Sequence, residues 1–568
     1  MHAGGATYLD RIPTSSLVYV ERETSESTPR GLAMTPIRPR TSPLTLITAT
    51  LLFGCSAADQ PPATPQGYAV VEVPLHQIAA DLAEGRTTSA IVTGGYIARI
   101  TAMDSELNSV IAIAPDALEQ AAAADERRSR GEALGPLDGV PILLKDNLDA
   151  VGMPTTAGSY ALSDNVPERD SEVTRRLRAA GMVILGKANL SQFAGFRNTA
   201  SFNGSTVGGS PKNPYDITRS PAGSSSGSGV ATAMSFAAAT IGTETAGSIV
   251  GPSSVNGIVG MKPTIALVSR SGIVPISLNQ DSSGPMTRSV RDAAMILDVI
   301  AGSDPEDPWS VEADARLEAY EEALDDDALR GARLGVIRPV GPSAPDVTRL
   351  FEAALDVLQA EGAELVEVPA DALVDPRPEM RVILLHDFKV DLNAYLATTP
   401  DAVSVRTLGD LIEFSLSDPR ENMHTMDYWD DAEATRDGRA GEAYRAALAA
   451  GHRLTREEGI DRLLAEYDLD LLVTPTGSPA GRIEPDGTPR AGPIPDGPRG
   501  TRPPGLTVVA AVAGYPLITV PMGLARGLPV GLTFAGTAWS EARLLAAAYD
   551  YEQASRARVP APRAVGRR

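Results

Sequence analysis

Gly135-Pro-Leu-Asp-Gly-Val-Pro-Ile-Leu-Leu-Lys145-Asp-Asn147 holds an apolar run, Val140 to Leu144, that ends on a lysine. A run of this kind, without alternation and preceded by glycine, suits a strand covered on both faces. Met182–Leu185 and Ala238–Ile241 repeat the pattern. Helical periodicity lies around these runs at 75–85, 91–103, 115–131 and 171–180, the last led by Asp170-Ser171 as a cap. The rhythm predicts an α/β fold with a central, mostly parallel or mixed β-sheet and helices on both faces. A lysine at the end of such a strand can simply reach solvent. It can also enter the crevice at the carboxyl ends of the strands, where open α/β sheets bind ligands. The stretch by itself leaves both open.

Further along, 333–338 and 364–368 read as strands around a helix at 346–361, and 377–465 reads as a helical insert forming a cap. A strand at Asp470–Thr474 precedes residues 475–505, which carry 9 Pro and 7 Gly and so form a long irregular loop. Strands near 517–521 and 529–535 and a helix at 540–555 close one domain, 70–555, leaving 556–568 as a disordered tail.

The chain has 568 residues and a net charge of −22, which repels phosphate backbones and argues against a nucleic-acid partner. One cysteine excludes a disulfide framework and multi-Cys metal sites, and the five histidines show no ligand-like spacing. No metal is therefore expected. Residues 1–54 read as an N-terminal extension plus export signal: a basic lead after Met34, an uncharged stretch from Leu44 to Phe53, then Gly54-Cys55. Leu52-Phe53-Gly54-Cys55 looks like a bacterial lipobox, which would make Cys55 a lipidated membrane attachment point and 55–69 a tether. The expected location is the cell envelope, outside the cytoplasm, with the start at Met1 or Met34.

Two more segments bear chemistry. Ser220-Pro-Ala-Gly-Ser224-Ser225-Ser226-Gly-Ser228-Gly opens a helix and offers many hydroxyls, or is only a flexible loop. It lacks the Gly-Lys-Ser/Thr ending of a P-loop, and no dinucleotide fingerprint appears, so no cofactor is expected. Gly242-Thr-Glu-Thr-Ala-Gly-Ser248-Ile-Val-Gly-Pro252 places Ser248 on a strand–turn–helix bend with backbone N–H groups beside it. A serine nucleophile needs a base. No histidine lies between His76 and His386 and the G-x-S-x-G elbow is missing, which weighs against a histidine base without closing that route; the other route is a lysine made neutral by burial.

These segments together resemble the amidase signature family of serine hydrolases. Gly135–Asn147, Gly186-Lys-Ala-Asn-Leu-Ser-Gln-Phe193, Gly209–Gly229, Gly242–Thr264, Asp281-Ser-Ser-Gly-Pro-Met286 and Ala513-Gly-Tyr-Pro516 fit in order across 70–555. The resemblance implies Ser248 as nucleophile, Ser224 (at an unusual cis peptide) as proton bridge, and Lys145 as the neutral base. It also implies an oxyanion hole from the amides of Thr245, Ala246, Gly247 and Ser248. Ala222, Ser226, Glu244, Ala246 and Val250 depart from common family residues without touching the Lys–Ser–Ser set. Thr243-Glu-Thr-x-Gly-Ser-Ile-Val250, Asn256-Gly, Leu267-Val-Ser-Arg270 and Pro275-Ile-Ser277 look most like the peptide amidase branch, which releases ammonia from C-terminal peptide amides. The expected partner is thus a small-molecule or peptide amide substrate. Aryl-acylamide, ester or carbamate hydrolysis on the same residues is the alternative, and a non-catalytic amide-binding lipoprotein the reading from another class.

Thr245 and Asp281 are candidates for steadying the site, with Gln192 and Ser225 weaker ones. Asp146 and Asn147 are expected to be structural, His386 to belong to the cap or core, and Trp309, Trp429 and Trp539 to be packing, with Trp429 the best candidate among them for a substrate wall.

Overall fold

Eleven strands form the sheet in the computed structural model, which describes residues 67–197, 204–338, 345–369, 371–421, 425–483 and 505–566. The stretch read as an export signal, Cys55 and the part of the expected tether before Gly67 lie outside these residues. In chain order the strands are β1 (Val110–Ile113), β2 (Pro141–Lys145), β3 (Val183–Ala188), β4 (Ala239–Glu244), β5 (Val259–Lys262) and β6 (Ser282–Thr287). They continue with β7 (Arg333–Ile337), β8 (Glu364–Val368), β9 (Leu471–Pro475), β10 (Leu517–Ala525) and β11 (Leu528–Ala535). Across the sheet they run β1-β3-β2-β4-β6-β5-β10-β11-β9-β7-β8. The pairs β3–β2–β4 and β9–β7–β8 are parallel and the remainder antiparallel. The sheet is mixed, as its sequence implies.

Every residue of β2, β3, β4 and β6 is buried, because helices cover both faces there. The helix after Ser171 begins as its sequence predicts, with the Ser171 hydroxyl accepting from the Thr174 amide at 3.2 Å. Five strands or helices were not apparent in the sequence: β1, β5, β6, and the helices Val290–Ile300 and Leu506–Ala513.

Residues 377–466 hold the helices Arg377–Leu396, Leu408–Ser417, Asp427–Glu433, Glu442–Thr455 and Asp461–Glu466. The first three bury Leu384, Phe388, Leu392, Leu408, Leu411 and Trp429 against Phe193, Phe196, Val274 and Ile276 of the body. The insert therefore shares an apolar core with segments that flank Lys145, Ser224 and Ser248 in the chain.

Two boundaries need correction. Tyr68, read as tether, is half-buried and its hydroxyl donates to Asp81. The stretch 556–566, read as a disordered tail, is packed: Ala561 and Ala564 are buried, Arg558 pairs with Glu72, and Tyr215 donates to the Val559 carbonyl. Alanine burial and backbone acceptors carry this contact, and neither leaves a periodic pattern in sequence. Truncation after Ser555 is expected to destabilise the protein by about 2–3 kcal/mol, the sum of two small apolar burials and a few net hydrogen bonds. A lowered urea midpoint would register it.

Candidate active site

Lys145 is the last residue of β2, and its parallel neighbour β4 ends one residue beyond Thr243. This register brings the lysine amine to Thr243: Nζ donates to the Thr243 carbonyl at 3.1 Å and lies 2.8 Å from its Oγ1. The third neighbour is Ser224 Oγ at 2.8 Å, supplied by the serine-rich loop that leads into the helix Ser226–Ala233. The geometry suits an uncharged amine. Two N–H bonds go to Thr243, and the lone pair is left for the Ser224 hydroxyl proton.

The amine is fully buried, and burial pulls its pKa down from 10.5 to about 7 against the opposing pull of Asp281 and Glu244. Among the described residues no carboxylate forms an ion pair with it. Asp281 is itself buried and pushed up to about 6; its oxygens take the Thr245 hydroxyl at 2.5 Å and the Ile276 and Ser277 amides at 2.7 and 2.9 Å.

Ser248 lies in the turn between β4 and the helix Val250–Val255, and among the described residues its hydroxyl makes no hydrogen bond to Ser224 or Lys145. It is partly exposed, whereas Ser224 and Lys145 are buried. Its carbonyl accepts from the Ser225 amide at 3.2 Å, which ties the turn of Ser248 to the loop carrying Ser224. The Gly223–Ser224 peptide is cis. Gly247 has φ +86°, a left-handed conformation that glycine adopts freely, and this turns the chain between β4 and the helix Val250–Val255. The amides of Ala246, Gly247 and Ser248 have no hydrogen-bond acceptor among the described residues. The turn is held from behind by Glu244, whose Oε2 accepts the Ile249 and Val250 amides at 2.7 and 3.0 Å. A half-exposed hydroxyl beside free amides, with a buried serine–lysine pair behind it, can attack a carbonyl, hold the resulting oxyanion and move a proton.

The remaining candidates sort by contact. Thr245 and Asp281 bond to each other, and Ser225 brackets Thr243 through its hydroxyl, donating to the Thr243 carbonyl at 3.0 Å and accepting from its amide at 3.2 Å. Asn147, expected to be structural, also touches the lysine's partner: its Nδ2 donates to Thr243 Oγ1 at 3.1 Å. Asp146 sits apart with Thr156 and Lys187. Gln192 is turned toward Glu421 and Arg197, away from the amine. His386 donates through Nδ1 to the Val382 carbonyl of its own helix at 2.8 Å. Trp429 is no substrate wall. It is 0% exposed, donates to the Phe196 carbonyl at 2.6 Å and meets Phe193 edge-on.

Thr243 is the contact that sequence reasoning missed, although it lies five residues before Ser248 in the quoted stretch; the parallel register of β2 and β4 was the clue. A wide cleft of about 1380 Å³ near Arg270 and Tyr395 is lined by none of Lys145, Ser224 and Ser248. Its arginines Arg169, Arg175, Arg176 and Arg270 are each paired with a carboxylate, so the cleft offers none of these four cations free to a ligand.

The family model described as Amidase matches residues 92–545. A probable amidase of Arabidopsis thaliana is 35% identical over 511 residues, covering 87% of this chain and 92% of that protein. Among solved structures, native peptide amidase from Stenotrophomonas maltophilia superposes with a TM-score of 0.80 at 43% identity, covering 86% of this chain and 98% of that one. An amidase family protein from Bacillus anthracis superposes with a TM-score of 0.76 at 30% identity, covering 87% and 92%.

Proposed function

This chain belongs to the amidase signature family and hydrolyses amides, and from that premise we propose an acyl-enzyme route through Ser248, Ser224 and Lys145 acting on C-terminal peptide amides. The observation that carries the route is the buried, unpaired amine of Lys145 at 2.8 Å from Ser224 Oγ. Ser248 Oγ attacks the amide carbon while its proton moves to Ser224 Oγ and the Ser224 proton moves to Lys145 Nζ. The tetrahedral oxygen rests on the amides of the 245–248 turn. Collapse breaks the C–N bond as the proton returns through Ser224 to the leaving nitrogen, which departs as ammonia. Water then attacks the ester carbon through the same relay, releasing carboxylate and restoring Ser248.

The substrate class rests on likeness. The sequence around Ser248 resembles the peptide amidase branch, and a peptide amidase is among the similar structures. Ammonia release across peptide amides, simple aliphatic amides and anilides tests it. The highest kcat/KM is expected on peptide amides, and a preference for anilides or esters would overturn the assignment. Because the base must be neutral, kcat/KM is expected to rise with pH through about 7 and then level, as Lys145 loses its proton. A profile already flat at pH 5 would remove lysine from the role. From the lipobox-like Leu52-Phe53-Gly54-Cys55 we also propose attachment to the cell envelope through Cys55; incorporation of labelled palmitate that disappears in Cys55→Ser is the expected result.

A further inference from the structure

Residues 191–197 cover the Lys145–Ser224 pair. The Ser191 amide donates to the Ser224 carbonyl at 2.9 Å, and a side chain placed on Gly195 would come within 3.9 Å of Ser224 Cβ. Ala194 shares the wall of a small cavity with Thr243, which bonds to the lysine amine, and Asn147, which bonds to Thr243. This cover is strained: Phe193 and Ala194 hold φ of 46° and 53°, a left-handed region that non-glycine residues avoid. Something outside the segment has to keep it in place.

Glu421, from the helical insert, does so. Its carboxylate is fully buried and takes five donors. Oε2 accepts from Gln192 Nε2 at 2.6 Å and Arg197 Nη1 at 3.0 Å, gripping the cover at both ends. Oε1 accepts from the Tyr160 amide at 2.7 Å, Thr206 Oγ1 at 2.8 Å and Ser159 Oγ at 3.0 Å, gripping the body. The Arg197 guanidinium also donates to the Glu421 carbonyl at 2.8 Å and lies over the Trp429 ring at 4.9 Å, with Phe193 against the same ring.

The geometry points to Glu421 as a positioning residue that holds segment 191–197 closed over the relay, so that the lysine amine stays out of water. The inference rests on Lys145 being the base. The carboxylates that pull on Lys145 are Asp281 and Glu244; Asp146, next to it in the chain, is paired with Lys187. None of these changes when Glu421 is altered. Water admitted through an open cover would favour the charged amine, and the acidic limb of activity would move to higher pH.

The test is the pH profile of kcat/KM for Glu421→Gln, whose amide would set an N–H against donors where the carboxylate accepted. The expected limb lies at least one unit higher than in the wild type. Activity then falls about eightfold or more at pH 6.5 and returns to within threefold at pH 9. Gln192→Ala, which removes one donor, is expected to shift the limb in the same direction by less, and it carries the test alone if Glu421→Gln does not fold. Asp138→Asn is the control. Asp138 is an equally buried carboxylate with Arg127 and the Leu134 amide as partners, so its loss costs stability without moving the limb. An unmoved limb in the folded Glu421 or Gln192 variant, or a loss equal at every pH, overturns the inference. Full activity in Lys145→Met is a separate outcome that would instead sink the relay on which it rests.

Discussion

Ser248→Ala is expected to be a folded protein with no measurable amide turnover. The Ser248 hydroxyl has no hydrogen-bond partner among the described residues, and the Ser225 bond goes to the backbone carbonyl, which alanine keeps. Loss of the hydroxyl therefore removes the nucleophile and leaves the turn. Removing a nucleophile from a comparable serine relay costs on the order of 10⁴–10⁶ in kcat, the remaining rate coming from oxyanion stabilisation and binding alone. The discriminating measurement adds hydroxylamine to the assay. The wild type should partition its acyl-enzyme into hydroxamate, and Ser248→Ala should form none while its urea midpoint stays unchanged. Retention of more than about a hundredth of the wild-type rate would place the nucleophile elsewhere, since that exceeds what an oxyanion hole supplies unaided. Ser224→Ala should also be strongly impaired, but with a different signature: Ser248 remains, and the proposed relay loses the hydroxyl that bonds to the lysine.

How far these residues could be read in advance depends on the range of the interaction. β2, β3 and β4 were legible because burial on both faces leaves an unalternating apolar run. β6 was not. Ser282-Ser-Gly-Pro-Met-Thr287 has little intrinsic preference for a strand, yet it pairs with β4 on one side and β5 on the other. Gly284 allows this, since a Cβ there would stand 1.9 Å from the Met261 carbonyl oxygen. The tertiary context selects the strand, and a window of six residues does not contain that context. The same holds within the site. Lys145, Ser224 and Ser248 each sit in a distinctive local motif, so each could be named. The contact of Lys145 with Ser224 joins positions 79 apart and depends on the tertiary fold, which no local pattern encodes. Glu421 had no motif at all. It lies in an acidic, helical stretch where one more glutamate reads as solvated surface, and only its five donors, drawn from residues 159 to 206, reveal what it does.

Lys145→Met is expected to lower kcat by about 10²–10⁴, the usual contribution of a positioned base, while making the protein more stable. Both effects have one origin. The unfolded chain holds the lysine proton up to about pH 10.5, whereas the folded protein releases it near 7. Between those values the unfolded state binds the extra proton, so wild-type stability rises with pH across the window, and below it the full penalty is present. A displacement of that size corresponds to about 5 kcal/mol as an upper bound, because each unit is worth 1.36 kcal/mol. Part of it is offset when the amine is removed. Ser224 loses its bond, while Thr243 keeps Asn147 at its hydroxyl and Ser225 at its carbonyl. Methionine fills similar volume without a charge to desolvate. The variant should therefore gain about 2 kcal/mol at pH 7, with the advantage shrinking steadily toward pH 10 in urea titrations. A variant that is less stable than the wild type at pH 7, or whose advantage does not depend on pH, would mean that the amine is not held in the neutral form. The proton would then have no acceptor inside the fold, and Ser224 would have nothing to pass it to.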